Sequence, residues 1–263
     1  MASESPSNAG PPPFLASLLG SLSSDAQPGT SPIPALVSPD PKRPYVTLTF
    51  AQSLDAKIAG RGGKQLILSG DESMRMTHWM RTMYDGILIG VGTAVNDNPQ
   101  LNVRHLPFPT QNNHFKHYHH PQPLILDPRL RLSPKCKLLN NAKLGAGVAP
   151  WVISVRPSDA EEGDKLQEWE ARKAVLENAG AKVILVEQDP SYTGSSYLPM
   201  RAVLEAIRAE GIRSVMVEVT VAPVIVGGHG VGYSEHLDNV PGLTHVKTEV
   251  FGKDTVIGMK AEA

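Results

Sequence analysis

Residues 86–104 read GILIGVGTAVNDNPQLNVR, and the reading of this stretch decides the fold class. Ile87, Leu88, Ile89 and Val91 form an apolar run that breaks at Gly90 and Gly92, and Asn, Asp and Pro follow. An apolar run of strand length is what a parallel strand buried on both faces requires. In open α/β sheets, the loop at the carboxyl end of such a strand meets the ligand. The predicted loop carries Thr93, Asp97 and Arg104, hydrogen-bonding and charged groups suited to a polar, phosphorylated ligand.

Outward from this run, strands and helices alternate. YVTLTF at 45–50 alternates as a strand should, and further strands are predicted at 123–127 (PLILD), 151–155 (WVISV), 182–186 and 213–218. Ser69 and Glu72 have capping-box spacing, and the predicted helix behind them turns Met76, Trp79, Met80 and Met83 inward as core. Ser158 and Glu161 repeat the spacing before a helix with Leu166, Trp169 and Leu176 inward and Gly180 as its stop. Another helix is predicted near 200–210. The series implies an α/β fold, a mostly parallel sheet flanked by helices on both faces.

Composition bounds the function. The chain has 263 residues, 41% hydrophobic, with net charge −1, enough for one sizeable core. That balance offers no electrostatic footprint for nucleic acid or an anionic membrane, and no apolar run reaches the roughly twenty residues of a membrane span. The one cysteine, Cys136, permits no intrachain disulfide and points to a reducing compartment. It sits among Pro and Lys without a base or oxyanion motif, so it is read as incidental. Residues 1–43 are rich in Pro, Ser, Gly and Ala and read as a flexible segment. Within it Phe14, Leu15, Leu18, Leu19 and Leu22 share one helical face, predicting a short amphipathic helix near 14–22 that packs on the domain. No Lys or Arg precedes Lys42, which does not suit a signal or transit peptide, and a cytoplasmic location is expected. His105, His114, His117, His119 and His120 fall among Pro, Asn and Gln with no helix to fix ligand spacing. They read as a solvated surface insertion, with no metal site.

Several motifs in order carry a resemblance. They are PYVTLTFAQSLDAKIAG at 44–60, HWMRTMYD at 78–85, and GT-x3-D-x-P-x-L-x2-R beginning at Gly92. PLILD, IRSVMVE at 212–218 and TVAPVIVGGHGVGY at 220–233 follow. Together they resemble the reductase domain of riboflavin biosynthesis, whose fold is dihydrofolate-reductase-like. The resemblance implies a reductase domain over 44–260 and NADPH-dependent reduction of the ribosyl side chain of a ribosylaminopyrimidine phosphate. Hydride would go to the sugar C1 of the ring-opened imine, leaving a ribitylamino product without a metal or protein nucleophile. It further implies cofactor contacts from Ala51, Thr93, Asp97 and Tyr197, substrate contacts from Arg81, Leu101, Arg104 and Glu218, and a homodimer across the sheet edge and C-terminal strands. Asp55, in SLDAKI, is a weak candidate for the proton donor and reads equally as a turn cap. A pterin reductase of the same fold is the alternative activity. A single cysteine leaves no thiolate set for the zinc deaminase fused to some relatives.

One departure stands out. Relatives continue after the strand ending in Val-Glu with Gly-Gly-Ala, a crossover helix and a new strand, whereas here Glu218 runs directly into Val219-Thr220-Val221. The gap is about twenty to thirty residues, the size of one β/α connection. The glycine-rich turn of that connection would approach the dinucleotide's phosphates. A chain lacking it is expected to be catalytically impaired, at the limit only a nucleotide-binding or dimerisation module.

Overall fold

In the computed structural model the described residues are 10–20, 33, 36–51, 69–107, 118–157, 163–187, 198–219, 243–252 and 254–261. The apolar run becomes the strand β2 (Gly86–Gly90), one of six with β1 (Tyr45–Phe50), β3 (Gln122–Leu126), β4 (Trp151–Ser154), β5 (Lys182–Leu185) and β6 (Ser214–Val219). They form one sheet in the order β1–β6–β2–β3–β4–β5, and every pairing is parallel. Alternate residues of β2 serve opposite cores. Ile87 and Ile89 lie with Trp79, Met80 and Met83 on one face, and Leu88 lies with Val203 and Ile207 on the other. Burial on both faces is why the run is unbroken. At its start, Gly86 leaves room for the Leu124 side chain, whose Cδ1 would sit 2.9 Å from a Cβ there.

The helices are α1 (Pro13–Leu19), α2 (Asp71–Arg81), α3 (Val91–Asp97), α4 (Lys137–Lys143), α5 (Gly163–Asn178) and α6 (Met200–Ala209). On α2, Met76, Trp79 and Met80 are buried, as is Met83 just beyond it, in agreement with the expected core face. Its capping differs from the expectation. The N-cap residue is Gly70 and no local side chain caps the helix. Instead Asp254 of the antiparallel hairpin β7 (Leu243–Phe251) and β8 (Asp254–Ala261) accepts the Gly70 N–H at 2.6 Å and the Ser73 hydroxyl. A carboxylate from a distant strand does the work predicted for Ser69 and Glu72, and its charge suits the helix N-terminus.

A second difference lies after β2. Residues 92–97, expected as loop, form the helix α3 together with Val91, expected to end the strand. Val91 and Ala94 turn inward and are buried, and that burial outweighs the weak helix propensity of Gly92 and Asn96. Asn98 ends the helix in the left-handed region, φ 42°. The loop proper therefore begins at Asn98.

Trp169 and Leu176 of α5 are buried, Leu166 is half-buried, and Gly180 at φ 105° ends the turn behind the helix. The capping box at Ser158 and Glu161 lies outside the described residues. The helix α1 buries Phe14, Leu15 and Leu19, and Phe14 meets Phe251 edge-on at 5.7 Å. Leu22 lies outside the described residues. Cys136 is buried in the larger core. Along β1, Val46, Leu48 and Phe50 are 42%, 52% and 42% exposed, an apolar row on an edge strand. No described helix is long and apolar enough to cross a membrane.

Candidate active site

Three of the expected substrate residues come together at the carboxyl edge of the sheet. Arg81 is the last residue of α2, where a cation suits the helix dipole. Glu218 lies near the end of β6, held in register with Thr49 of β1. Arg81 Nε donates to Glu218 Oε1 at 3.0 Å and Nη2 donates to Oε2 at 2.9 Å, a fork-to-fork pair whose side chains are only 11% and 10% exposed. Arg81 Nη1 donates to the Asn102 carbonyl at 3.1 Å. Three of the five guanidinium donors are thus committed within the protein, and two remain.

Arg104 differs. Its guanidinium has no ion-pair or hydrogen-bond partner among the described residues, and burial together with the nearby Arg81 lowers its pKa, opposed by Glu218. Arg81, Arg104 and Glu218 therefore leave one surplus positive charge in a partly desolvated place, which favours an anion. Leu101, the fourth expected substrate residue, has a buried side chain and φ 52°. Only its main chain is left for a ligand.

The loop 98–107 bears unusual backbone. Asn98, Leu101 and His105 have φ of 42°, 52° and 54°. For Leu and His such a conformation costs about 1 kcal/mol or more each and persists where surrounding bonds impose it. Those bonds are present. Asn98 Oδ1 accepts the Lys137 N–H at 2.9 Å, Asn141 Nδ2 donates to Gln100 Oε1 at 3.1 Å, and Asn102 Nδ2 donates to the Ala146 carbonyl at 2.8 Å. The Val103 N–H donates to His120 Nδ1 and the Arg104 N–H to His78 Nδ1, each at 3.0 Å.

His78 is fully buried and its ring meets His105 edge-on at 4.9 Å. Burial, reinforced by the cations of Arg81 and Arg104 and by His105, pushes its pKa down to about 3. The ring is therefore neutral near pH 7, with its proton on Nε2, because Nδ1 accepts. His78 Nε2 and Asn102 Oδ1 are buried without a hydrogen-bond partner among the described residues, so each is left to a ligand or to water.

The expected cofactor residues are placed less completely. Ala51 is exposed one residue beyond Phe50, which is in register with Val219. Thr93 lies in the first turn of α3, nearly buried, and Asp97 ends that helix half-buried. Since β6 lies between β1 and β2, Ala51, Glu218 and Thr93 lie at or just past the carboxyl ends of three neighbouring strands. That edge is where open parallel sheets take nucleotides. Tyr197, Asp55, His114 and His117 lie outside the described residues, as does the segment 220–233.

His78 and Asn102 escaped the reading of the sequence, and His120, expected in a solvated surface insertion, is instead half-buried and bonded to the loop, because each acts on backbone. The signal available was the spacing of His78 three residues before Arg81, which puts both on one helical face. Among the described residues, no three His, Cys, Asp or Glu side chains gather as a metal site.

The sequence profile of the RibD C-terminal domain matches residues 44–218, ending at Glu218. The 2,5-diamino-6-ribosylamino-4(3H)-pyrimidinone 5′-phosphate reductase of Debaryomyces hansenii is 30% identical over 221 residues, 76% of this chain and 83% of that protein. The protein of the same name from Eremothecium gossypii is 44% identical over 114 residues, 42% of this chain and 45% of its own length. The solved structure of Acinetobacter baumannii RibD superposes with a TM-score of 0.57 over 84% of this chain and 59% of that one. At 19% identity this is a likeness of fold.

Proposed function

Because this chain belongs to the RibD C-terminal domain family, we propose that it is an NADPH-dependent oxidoreductase of riboflavin biosynthesis. It reduces the ribosyl side chain of 2,5-diamino-6-ribosylamino-4(3H)-pyrimidinone 5′-phosphate, the reaction named for its Debaryomyces hansenii relative. The fold is dihydrofolate-reductase-like, with the site at the carboxyl edge of its parallel sheet. The observation that carries the reading is the Arg81–Glu218 pair beside the uncompensated Arg104.

Each residue has a part in this reading. Arg104 grips the phosphate ester, because a guanidinium with unspent donors matches phosphate oxygens two at a time. Arg81 holds the Glu218 carboxylate in place and keeps two donors for the ligand. Glu218 accepts from the amino groups of the pyrimidine. The resemblance also assigns the substrate a contact with Leu101, whose main chain alone is left for it.

At the other strand ends, the exposed Ala51 backbone and the Thr93 and Asp97 side chains suit ribose hydroxyls of a dinucleotide; the resemblance assigns Tyr197, outside the described residues, to its adenine end. When bound, NADPH supplies a hydride to C1 of the ring-opened sugar imine. Asp55 is the weak candidate for the accompanying proton. The reductase domain spans 44–260 and works in the cytoplasm.

A homodimer completes the reading. The outer face of the β7–β8 hairpin exposes Val250, Ile257 and Met259, and β1 is an edge strand among the described residues, so a second copy would cover surfaces that otherwise invite aggregation. Light scattering at micromolar concentration should give twice the chain mass, and a stable monomer refutes the dimer. The activity is tested by following nicotinamide absorbance with NADPH and the pyrimidine phosphate. Oxidation on that substrate is expected. Turnover on a dihydropterin instead would overturn the reading.

A further inference from the structure

We infer that His78 and His120 are positioning residues, a pair of imidazole acceptors that hold the backbone of Val103 and Arg104 so that the Arg104 guanidinium stays beside the Arg81–Glu218 pair. The inference rests on the function proposed above for Arg104. Two consecutive N–H groups of one loop end on Nδ1 atoms of two histidines from different parts of the chain. His78 comes from α2 on one side of the loop, and His120 from the segment just before β3 on the other. A backbone N–H can only donate, so both rings must present a bare Nδ1.

The helix α2 takes hold of the loop twice. Arg81 binds the Asn102 carbonyl, and one turn earlier His78 binds the Arg104 N–H. His120 supplies the acceptor between them, at Val103. These three bonds fall on consecutive residues flanked by the left-handed Leu101 and His105, a stretch that would relax toward ordinary backbone if released. Arg104 would move with it, because its own side chain has no other tether among the described residues. Burial keeps both rings neutral. For His78 the Arg81, Arg104 and His105 charges act in the same direction, and for His120 the neighbouring His119 does.

The test uses the full chain and an isosteric rescue. Asparagine places an oxygen acceptor where histidine has Nδ1, so His120→Asn preserves the bond that His120→Ala removes. His120 is half-buried and its variants should fold; His78→Asn extends the test at the fully buried site. In His120→Ala, hydrogen exchange of the peptide covering 101–107 should rise at least tenfold, and KM for the pyrimidine phosphate should rise severalfold with kcat within twofold. His120→Asn should restore both to within twofold. Unchanged exchange in the alanine variant, or an asparagine variant no better than alanine, overturns the inference. The exchange comparison needs no turnover, so inactivity of the unsubstituted chain would count against the assigned reaction and leave the positioning role decided by exchange.

Discussion

Arg81 and Arg104 look alike in sequence, yet the structure gives them opposite surroundings and so opposite responses to substitution. Removing Glu218 strands a mostly buried Arg81, so Glu218→Ala should lower unfolding free energy by about 2–4 kcal/mol, read by urea denaturation. Arg104 has no internal carboxylate partner among the described residues, so Arg104→Ala should leave stability within about 0.5 kcal/mol. It should instead raise KM roughly 10- to 100-fold, the value of charge-assisted bonds worth about 1.5–3 kcal/mol. Equal destabilisation by both variants would refute this division of roles. His78 adds a pH dependence. Its folded pKa of about 3 lies below the ordinary 6.5, so the unfolded chain takes up the proton first as pH falls. The contribution is complete above about 6.5 and is lost toward pH 3, with a slope of up to about 1.4 kcal/mol per pH unit. Urea titrations at pH 7.5, 6 and 5 should show this slope in the parent chain and a smaller one in His78→Asn. Parallel lines would refute it. The charged members of the site were legible because Arg104 and Glu218 sit in motifs at strand ends. Asn102 and His120 were not, since a side chain that binds backbone leaves no pattern of its own.

At the scale of elements, the sequence was most legible where burial alone decides. The run 87–89 is a strand in the middle of the sheet, and Met76, Trp79 and Met80 face its core because period and burial agree. Legibility failed where the partner is remote. Ser69 and Glu72 have the spacing of a local cap, but Asp254, far along the chain, reaches the first turn of α2 and takes two donors there. A local rule cannot see a contact that forms only when β8 docks. Asp254→Ala should therefore lower unfolding free energy by about 1–2 kcal/mol, and Ser69→Ala should change it by less than about 0.5 kcal/mol. A shift in the urea midpoint for Ser69→Ala as large as that for Asp254→Ala would restore the local cap. The helix α3 was missed for a related reason. Gly92, Asn96 and Asp97 read as loop residues, and only the packed core reveals that Val91 and Ala94 gain more by turning inward.

For the whole molecule, the outer strand β1 is less well covered than β6 beside it. On the face that packs α6, Val215 is buried and Val217 half-buried, whereas Val46 and Leu48, their partners in register on β1, are exposed along with Phe50. A parallel sheet normally carries helices on both faces, because a bare apolar face costs about 25 cal/mol for each Å² left in water. The uncovered row lies beside the strand after which the resemblance places a crossover helix, and the family match stops at Glu218. On these two observations we propose an internal deletion there. The same connection would bring the glycine-rich turn whose N–H groups face a dinucleotide's phosphates. Inserting the corresponding segment of the Debaryomyces hansenii relative after Glu218 should therefore have two effects. NADPH should bind at least tenfold more tightly, a gain of more than about 1.4 kcal/mol, and the thermal midpoint should rise as the row on β1 is covered. Titrating NADPH fluorescence against both chains measures the first, and a melting curve measures the second. Equal affinity in the two chains would show that residues already present hold the phosphates, and that the junction at Glu218–Val219 removes nothing the cofactor needs.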